Sequence, residues 1–321
     1  MQIINPNNGE VLEKSGSCLS DRLGNEFPIV GGVARIAVFE NYTDNFGVQW
    51  NKFDKTQLDR EDVGKDISRR RFFAETHWDN QDLTGQNLLE VGSGAGRFSR
   101  VVLEHTKASL YSVDYSDAVI ANHKNNSPLA PDRFHLFQAS IYELPFPDDS
   151  FEKVFCLGVL QHTPDFDASV KALISKAKIG GEIVVDFYPI KGWWTKVHAK
   201  YIFRPITKRL SHGRLMHIIE ANIDWLISAE WALHKLGLGI LARFLPIVDI
   251  WSTFPKYLSE SEKREWAVLD TFDMFSPQYD NPQRIKNVVT MFRCYGAEVT
   301  FAGFEHFDGF SAAVVRGIKR T

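Results

Sequence analysis

Short apolar runs alternate with stretches of helical spacing along the middle of the chain. Leu88-Leu89, Val154-Phe155 and Ile183-Val184-Val185 lie in runs of strand length, and each run ends at a glycine or an acid. Apolar runs of this length, bounded by turn residues, are typical of strands that are buried on both faces. Because the segments between them have helical spacing, the pattern predicts an α/β fold built from repeated strand–helix units.

The sharpest local signal is the glycine-rich turn that follows the first of these strands. Leu88-Leu89-Glu90-Val91 ends the strand, and Gly92-Ser93-Gly94-Ala95-Gly96 leads directly into helical spacing. Glycine tolerates positive φ and carries no Cβ atom that would keep a ligand from the backbone. The helix that follows directs free N–H groups and the positive end of its dipole towards an anionic group. The turn therefore predicts a nucleotide-like ligand.

Two features of this region favour S-adenosylmethionine over a dinucleotide. The glycine spacing is G-x-G-x-G, whereas a pyrophosphate packs against G-x-G-x-x-G. Glu90 stands just before the first glycine, where it would repel a pyrophosphate but can accept a hydrogen bond from the ammonium group of an amino acid. At the end of the next strand, Asp114 suits a ribose diol, and the ring of Tyr115 can cover a purine.

These blocks, together with Leu144-Pro145-Phe146, the segment 160–165 and Ile179-Gly180-Gly181, resemble the class I S-adenosylmethionine-dependent methyltransferase superfamily. The resemblance covers residues 87–188 and indicates the small-molecule branch. It implies a doubly wound, mostly parallel, seven-stranded Rossmann-like sheet, with S-adenosyl-L-methionine as the cofactor. The residues that it implies for cofactor binding are Glu90, Gly92, Ser93, Gly94, Gly96, Asp114, Tyr115, Ala139, Ser140, Ile141 and Leu157. Ser140 stands where relatives place an acid that accepts from the adenine amino group.

The rest of the chain adds segments before, within and after this core. We expect a small β appendage over residues 1–40, a methyltransferase core with a helical lead-in over 41–189, a helical substrate cap over 190–280, and a completion of the sheet over 281–321. The appendage resembles a degenerate zinc ribbon in which Cys18 is the one possible thiolate, so we expect no metal site. In the lead-in, Arg71 can pair with the methionine carboxylate and Trp50 can wall the pocket. A solvated basic helix face is the alternative interpretation.

Composition narrows the class of protein. The 321 residues carry a formal net charge of −3, which argues against a general nucleic-acid binder. The three cysteines are widely separated and form neither a disulfide framework nor a metal cluster. The first residues lack the pattern of a signal peptide, and no apolar run is long enough to span a bilayer. We therefore expect a cytoplasmic protein.

Methyl transfer to an alcohol needs a base, and the candidates lie where open sheets bind their ligands. His162 follows the fourth strand, and Asp186 and Tyr188 end the fifth. His162 is the first candidate for the base and for substrate contact, and the alternative is a residue that orients the loop after it. A second group of candidates, which can bind sugar hydroxyls or connect the cap to the core, comprises Asp270, Asp273 and Tyr279.

The predicted cap has an uneven distribution of charge. No acid occurs between Asp186 and Glu220, while the same interval carries seven basic residues and has Trp193-Trp194 near its start. Such a segment can receive an anionic or amphiphilic acceptor, for example one that bears a phosphate. It can equally rest on acidic lipid headgroups at the inner face of a membrane. Solvated lysines on an ordinary helical cap are the alternative.

The function that these features predict is a methyltransferase that uses S-adenosylmethionine and acts on a small molecule. The resemblance of the cap and its flanks to enzymes of surface-polysaccharide pathways favours a sugar, a nucleotide sugar or a lipid-linked glycan as the acceptor. A quinone or natural-product methyltransferase and a non-catalytic cofactor-binding subunit are the alternatives.

Overall fold

The computed structural model describes residues 1–36, 42–60, 64–251 and 258–321. Its strands are β1 (Glu13–Ser15), β2 (Cys18–Ser20), β3 (Glu26–Val30), β4 (Val33–Arg35), β5 (Asn87–Val91), β6 (Ser109–Asp114), β7 (Phe134–Gln138), β8 (Phe151–Cys156), β9 (Ala177–Phe187), β10 (Ala297–Phe307) and β11 (Phe310–Lys319). Its helices are α1 (Asp44–Lys52), α2 (Ile67–Thr76), α3 (Arg97–His105), α4 (Val119–Asn126), α5 (Phe166–Lys176), α6 (Ala199–Thr207), α7 (His212–Lys235), α8 (Glu260–Phe275) and α9 (Ile285–Cys294).

The strands form one sheet in the order β1-β2-β3-β4-β7-β6-β5-β8-β9-β11-β10. Strands β7, β6, β5, β8 and β9 are parallel neighbours, whereas β11 runs antiparallel to β9. The order of the chain reverses between β5 and β8, and an open α/β sheet binds its ligands at the carboxyl edge beside such a point. The doubly wound, mostly parallel sheet that the sequence predicts is thereby confirmed.

The sheet has more strands than the seven predicted, because the N-terminal appendage extends it. Strand β4 pairs in parallel with β7 through Ala34 and Phe137, and the N–H of Ile36 donates to the carbonyl of Gln138 at 2.8 Å. The edge of a strand presents unpaired N–H and C=O groups, which a further strand can satisfy. Within the described residues, β1 to β4 therefore lie beyond the seven strands β5 to β11.

Hydrogen bonds hold the loops of the appendage together. The carboxylate of Asp21 accepts from the side-chain amides of Asn5, Asn8 and Asn25 at 2.8, 3.0 and 2.8 Å. The thiol of Cys18 donates to the carbonyl of Ser15 at 3.1 Å. The resemblance to a zinc ribbon remains unconfirmed, and the predicted boundary at residues 40 and 41 touches residues outside the described ranges.

Apolar side chains pack on both faces of the central strands. Leu88 belongs to one buried cluster and Leu89 to the other, as expected for successive residues of a strand. Phe72 of α2 and Val102 of α3 pack with Leu88, while Val170 and Leu173 of α5 belong to the cluster of Leu89. Burial on both faces explains why these strands appear in the sequence as nearly continuous apolar runs.

The chain divides into two compact units. The first comprises residues 1–189, 279–305 and 312–321, and the second comprises residues 190–278 and 306–311. The second unit contains α6, α7 and α8, and the capping box of Ser259 and Glu262 begins α8. Among the helices that the structure describes, none is both long and apolar enough to cross a membrane.

Candidate functional site

The glycine turn after β5 has the backbone that its sequence predicts. Gly92, Gly94 and Gly96 have φ values of 83°, 54° and 85°, in the left-handed region that favours glycine. A Cβ atom on Gly92 would lie 2.3 Å from Cγ2 of Val159, in the loop that follows β8. Glycine is required there because the turn passes directly beside a neighbouring loop, and α3 begins immediately after Gly96.

Glu90 lies in β5, two residues before the first glycine, and is buried. Its Oε2 atom accepts hydrogen bonds from the hydroxyls of Ser99 and Ser112, the second at 2.8 Å. Its Oε1 atom is buried and has no hydrogen-bond partner within the part of the chain that the structure describes. Burial raises the pKa of Glu90 to about 7, although the two serine hydroxyls act in the opposite direction. Oε1 can therefore accept a hydrogen bond from a ligand, and a cationic donor would favour the ionised carboxylate.

Asp114 ends β6 and connects the glycine turn to the loop that follows. Its Oδ2 atom accepts from the N–H of Gly94 at 2.7 Å, and its Oδ1 atom accepts from the N–H and the hydroxyl of Ser116 at 2.8 and 2.6 Å. Burial raises the pKa of Asp114, and these three hydrogen bonds oppose the increase. A carboxylate offers about four acceptor sites and three are used here, so Asp114 keeps about one site for a ribose hydroxyl.

Aromatic rings extend from Asp114 along the same side of the site. The ring centroid of Tyr115 lies 5.4 Å from that of Tyr42, which lies 5.5 Å from that of Tyr279. The sequence predicts that Tyr115 covers a purine and that Tyr279 binds sugar hydroxyls, and the ring of Tyr42 contacts both. The row of rings provides flat apolar surface beside the predicted ribose position.

Helix α1 covers two parts of the site. Phe46 and Trp50 are four residues apart and therefore share a helix face. Nε1 of Trp50 lies 3.1 Å from the position that a Cβ atom of Gly94 would occupy, and the ring of Phe46 lies 5.3 Å from that of His162. Trp50 thus lies beside the glycine turn, and its role as a wall of the cofactor pocket stays a prediction.

His162 lies in the 3-10 turn Leu160–His162 after β8 and is buried. Its Nδ1 atom is 3.2 Å from the carbonyl oxygen of Tyr279, and its ring lies edge-on to that of Tyr188 at 5.6 Å. Because a carbonyl oxygen only accepts hydrogen bonds, Nδ1 carries a proton, and in a neutral ring the lone pair is then on Nε2. The structure therefore brings together three of the predicted catalytic and substrate residues.

Asp186, another candidate base, is held in structural contacts. Its carboxylate accepts from the N–H of Gly158, where the loop after β8 begins, and from Nη2 of Arg71. Nε of Arg71 donates to Glu75 at 2.7 Å, and burial raises the pKa of Glu75. These contacts favour a structural role for Arg71 and Asp186. Binding of a methionine carboxylate by Arg71 and proton transfer by Asp186 stay predictions.

Replacement of Arg71 should reveal this structural role. We expect Arg71→Met to lower the free energy of unfolding by about 2–4 kcal/mol, because two buried carboxylates lose a paired cation. Urea denaturation measures the change. The matched control is Arg100→Met, since Arg100 and Glu104 have the same spacing of four residues in a more exposed pair. That control should cost less than about 1 kcal/mol, and equal costs for the two variants would contradict the structural assignment.

The remaining predicted residues divide between the two units. Ala139, Ser140, Ile141 and Leu157 are buried residues that follow β7 or β8. The hydroxyl of Ser140 accepts from the N–H of Tyr142 at 3.2 Å. Ser93 accepts a hydrogen bond from Asn122 at 2.9 Å. Asp270 and Asp273 lie on α8 in the second unit.

Sequence reasoning missed several residues that the structure places near these groups. Gln161 is fully buried, donates to the carbonyl of Gly158 at 2.8 Å, and has an Oε1 atom without a partner among the described residues. Glu75, which was missed, follows the predicted Arg71 by four residues. Phe46, which was also missed, precedes the predicted Trp50 by the same interval. This helical spacing is the signal that would have paired them.

The second unit contains a group that can hold a cation, although the sequence analysis expected no metal site. Ligand atoms of Glu230, His234 and Asp249 all lie within 4.8 Å of one another. Burial and the neighbouring Asp249 raise the pKa of Glu230 to about 7. Glu230 and His234 are four residues apart on α7, a spacing that the sequence analysis did not use.

Comparison with known proteins finds a family model that matches the region of the glycine turn. Residues 89–185 match the family described as "Methyltransferase domain". The ubiquinone/menaquinone biosynthesis C-methyltransferase of Vibrio campbellii is 29% identical over 130 residues, which cover 39% of this chain and 50% of that protein. The tRNA U34 carboxymethyltransferase of Nautilia profundicola is 30% identical over 113 residues, which cover 35% of this chain and 37% of that protein.

A solved structure also aligns with most of this chain. Magnesium protoporphyrin IX methyltransferase from Synechocystis, solved with bound S-adenosylhomocysteine, aligns with 87% of this chain and 96% of its own at 14% identity and a TM-score of 0.48. The chain spans about half the length of the first curated relatives that it matches.

Proposed function

We propose that this chain, whose residues 89–185 match the methyltransferase domain family, binds S-adenosylmethionine and transfers its methyl group to a small molecule. The observation that carries the proposal is the glycine turn between Glu90 and Asp114. Its three glycines have positive φ, and the N–H of Gly94 is fixed on Asp114. A buried carboxylate oxygen of Glu90 remains available for a ligand.

These residues fit the chemical groups of the cofactor. Oε1 of Glu90 would accept a hydrogen bond from the ammonium group of the cofactor, and the carboxylate of Asp114 would accept one from a ribose hydroxyl. Trp50 would form a wall of the pocket at the glycine turn. S-adenosylmethionine supplies an electrophilic methyl group on a sulfonium. The protein's contribution is then to position the acceptor in line with the methyl–sulfur bond. For a hydroxyl acceptor it would also remove a proton, for which Nε2 of His162 has the lone pair.

For the acceptor, we propose first a sugar, a nucleotide sugar or a lipid-linked glycan. The family match covers residues 89–185 and leaves out the second unit, so the relatives inform the cofactor more than the acceptor. A quinol is the second candidate, because the relative from Vibrio campbellii is named for quinone biosynthesis. Incubation with isotope-labelled S-adenosylmethionine and each acceptor class, followed by mass spectrometry, would distinguish the two by which product gains the label.

The cofactor assignment can be tested first by calorimetry with S-adenosylhomocysteine, which needs no acceptor. We expect binding, and we expect it to be about fivefold tighter at pH 7 than at pH 6. The pKa of Glu90 is raised to about 7 without ligand, so its ionised fraction grows by about that factor over this interval. The amino group of the ligand stays largely protonated in the same range. Binding at pH 6 should therefore release a proton.

The matched control is Glu90→Gln, which preserves the shape of the side chain and removes its titration. This variant should bind S-adenosylhomocysteine more weakly at pH 7 and should lose most of the difference between pH 6 and pH 7. An unchanged pH dependence would remove Glu90 from the ammonium site. Binding of NADH without binding of S-adenosylhomocysteine would overturn the proposed function itself.

A further inference from the structure

The second unit exposes large apolar side chains on two short turns. Trp193 and Trp194 lie in the 3-10 turn Trp193–Lys196 and are 84% and 56% exposed. In the 3-10 turn Gly239–Phe244, Ile240 is 70% exposed, and Leu241 and Phe244 are also exposed. Exposed apolar side chains that cluster, unlike scattered ones, are typical of interaction surfaces.

A hydrogen bond places the two turns side by side. Nη2 of Arg243 donates to the carbonyl oxygen of Trp194 at 3.0 Å. The ring centroids of Trp193 and Trp194 are 6.2 Å apart. We call the side chains of these two turns the apolar patch; its members are Trp193, Trp194, Ile240, Leu241 and Phe244.

Helix α6 follows the first turn, and one of its faces is packed while the other is exposed. Arg204 is buried and donates to the carbonyls of Met274 and Pro277 at 3.3 and 2.8 Å, so this face packs on the end of α8. Ile202 and Ile206 are four residues apart and exposed. The outer face of α6 is therefore apolar although folding of the unit does not bury it.

Basic residues are concentrated in the two sequence segments that carry the apolar patch, and the exposed Asp249 follows the second of them. Residues 187–219 contain no acid, and residues 231–248 contain none either. Lys191, Lys196 and Lys235 are exposed beside or between the apolar turns in the sequence. Lys200 and Arg204, which also lie within residues 187–219, are buried and cannot contribute to a charged surface. The positive charge that solvent meets therefore comes from residues other than those two.

We propose that the apolar patch docks on the surface of an anionic lipid bilayer. Tryptophan is favoured at the boundary between headgroups and acyl chains, where isoleucine, leucine and phenylalanine enter the apolar layer. The flanking lysines complement anionic headgroups, and this attraction is sensitive to salt. A purely apolar partner would explain the tryptophans but not the exposed lysines that flank them. The lipid surface accounts for both features.

Co-sedimentation with vesicles tests the docking surface. We expect the full chain to bind vesicles of phosphatidylcholine with about one-third phosphatidylglycerol, and to bind pure phosphatidylcholine at least tenfold more weakly. Ile240→Glu should reduce binding to the anionic vesicles at least tenfold, because a charge would replace an inserted apolar side chain. Lys191→Gln with Lys196→Gln should reduce it at least fivefold and lower its dependence on salt.

Ile179→Glu is the matched control, because Ile179 is also 70% exposed but lies in the first unit. It should bind vesicles like the unmodified chain, and all variants should keep their affinity for S-adenosylhomocysteine. Equal binding by Ile240→Glu and Ile179→Glu would overturn the proposal. Failure of the unmodified chain to bind anionic vesicles at low salt would also overturn it. A concentration-dependent dimer that Ile240→Glu abolishes, without vesicle binding, would assign the patch to a contact between copies instead.

Discussion

The Gly94→Val variant is expected to lose at least about a hundredfold in affinity for S-adenosylhomocysteine. Gly94 has a φ of 54°, where a branched side chain adds about 1–3 kcal/mol of backbone strain. Its Cβ atom would also lie 3.1 Å from Nε1 of Trp50, so the two methyl groups would fill the space between the glycine turn and α1. Strain at this position would further disturb the hydrogen bond from the N–H of Gly94 to Asp114. Calorimetry measures the loss.

A second glycine separates strain from the loss of ligand space. Gly85 has a φ of 76°, and a Cβ atom there would have no neighbour within 4 Å. Gly85→Val should therefore lower the melting temperature through strain while leaving the affinity for S-adenosylhomocysteine within about twofold. If both variants lost affinity equally, the effect of Gly94→Val would be general destabilisation and not exclusion of the ligand.

The sequence predicted those parts of the site that depend on neighbouring residues. Residues 88–97 contain a strand, a turn and the start of a helix, and each is set by local propensity. The positions of Glu90 and Asp114 at the ends of parallel strands follow from the same pattern, because parallel strands meet at one edge. Trp50 was predicted as a wall from its place in the lead-in.

Contacts between distant segments were harder to predict. The pair Arg71–Asp186 joins residues that lie far apart in the chain, and no local pattern indicates that a carboxylate at the end of β9 would turn to α2. The parallel pairing of β4 with β7 is missed for the same reason, since it depends on an open strand edge and not on the sequence of β4. Lys200 and Arg204 belong to the basic stretch that was predicted to bind an acceptor phosphate or lipid headgroups, yet both are buried, since charge alone does not reveal burial.

His162 has two possible roles, as a base or as a residue that orients its loop, and its contacts predict different mutational effects for each. If Nε2 removes a proton from a hydroxyl acceptor, the side chain must supply its lone pair to the reaction. If His162 only orients the loop, its contribution is the hydrogen bond from Nδ1 to the carbonyl of Tyr279 at 3.2 Å. Asparagine distinguishes these roles, because its side-chain amide can replace the donor at Nδ1 but offers no base at the position of Nε2.

We expect His162→Ala and His162→Asn to lower kcat by about 10²–10⁴-fold each, with the acceptor that the labelled-methyl experiment identifies. Affinity for S-adenosylhomocysteine should stay within about threefold, since the glycine turn, Glu90 and Asp114 are unchanged. Single-turnover kinetics measures the chemical step separately from product release. Activity close to that of the unmodified protein in His162→Asn, with a loss in His162→Ala, would identify an orienting residue. The next candidates for proton transfer would then be Tyr188, whose ring lies edge-on to that of His162, and Asp186, in competition with Arg71.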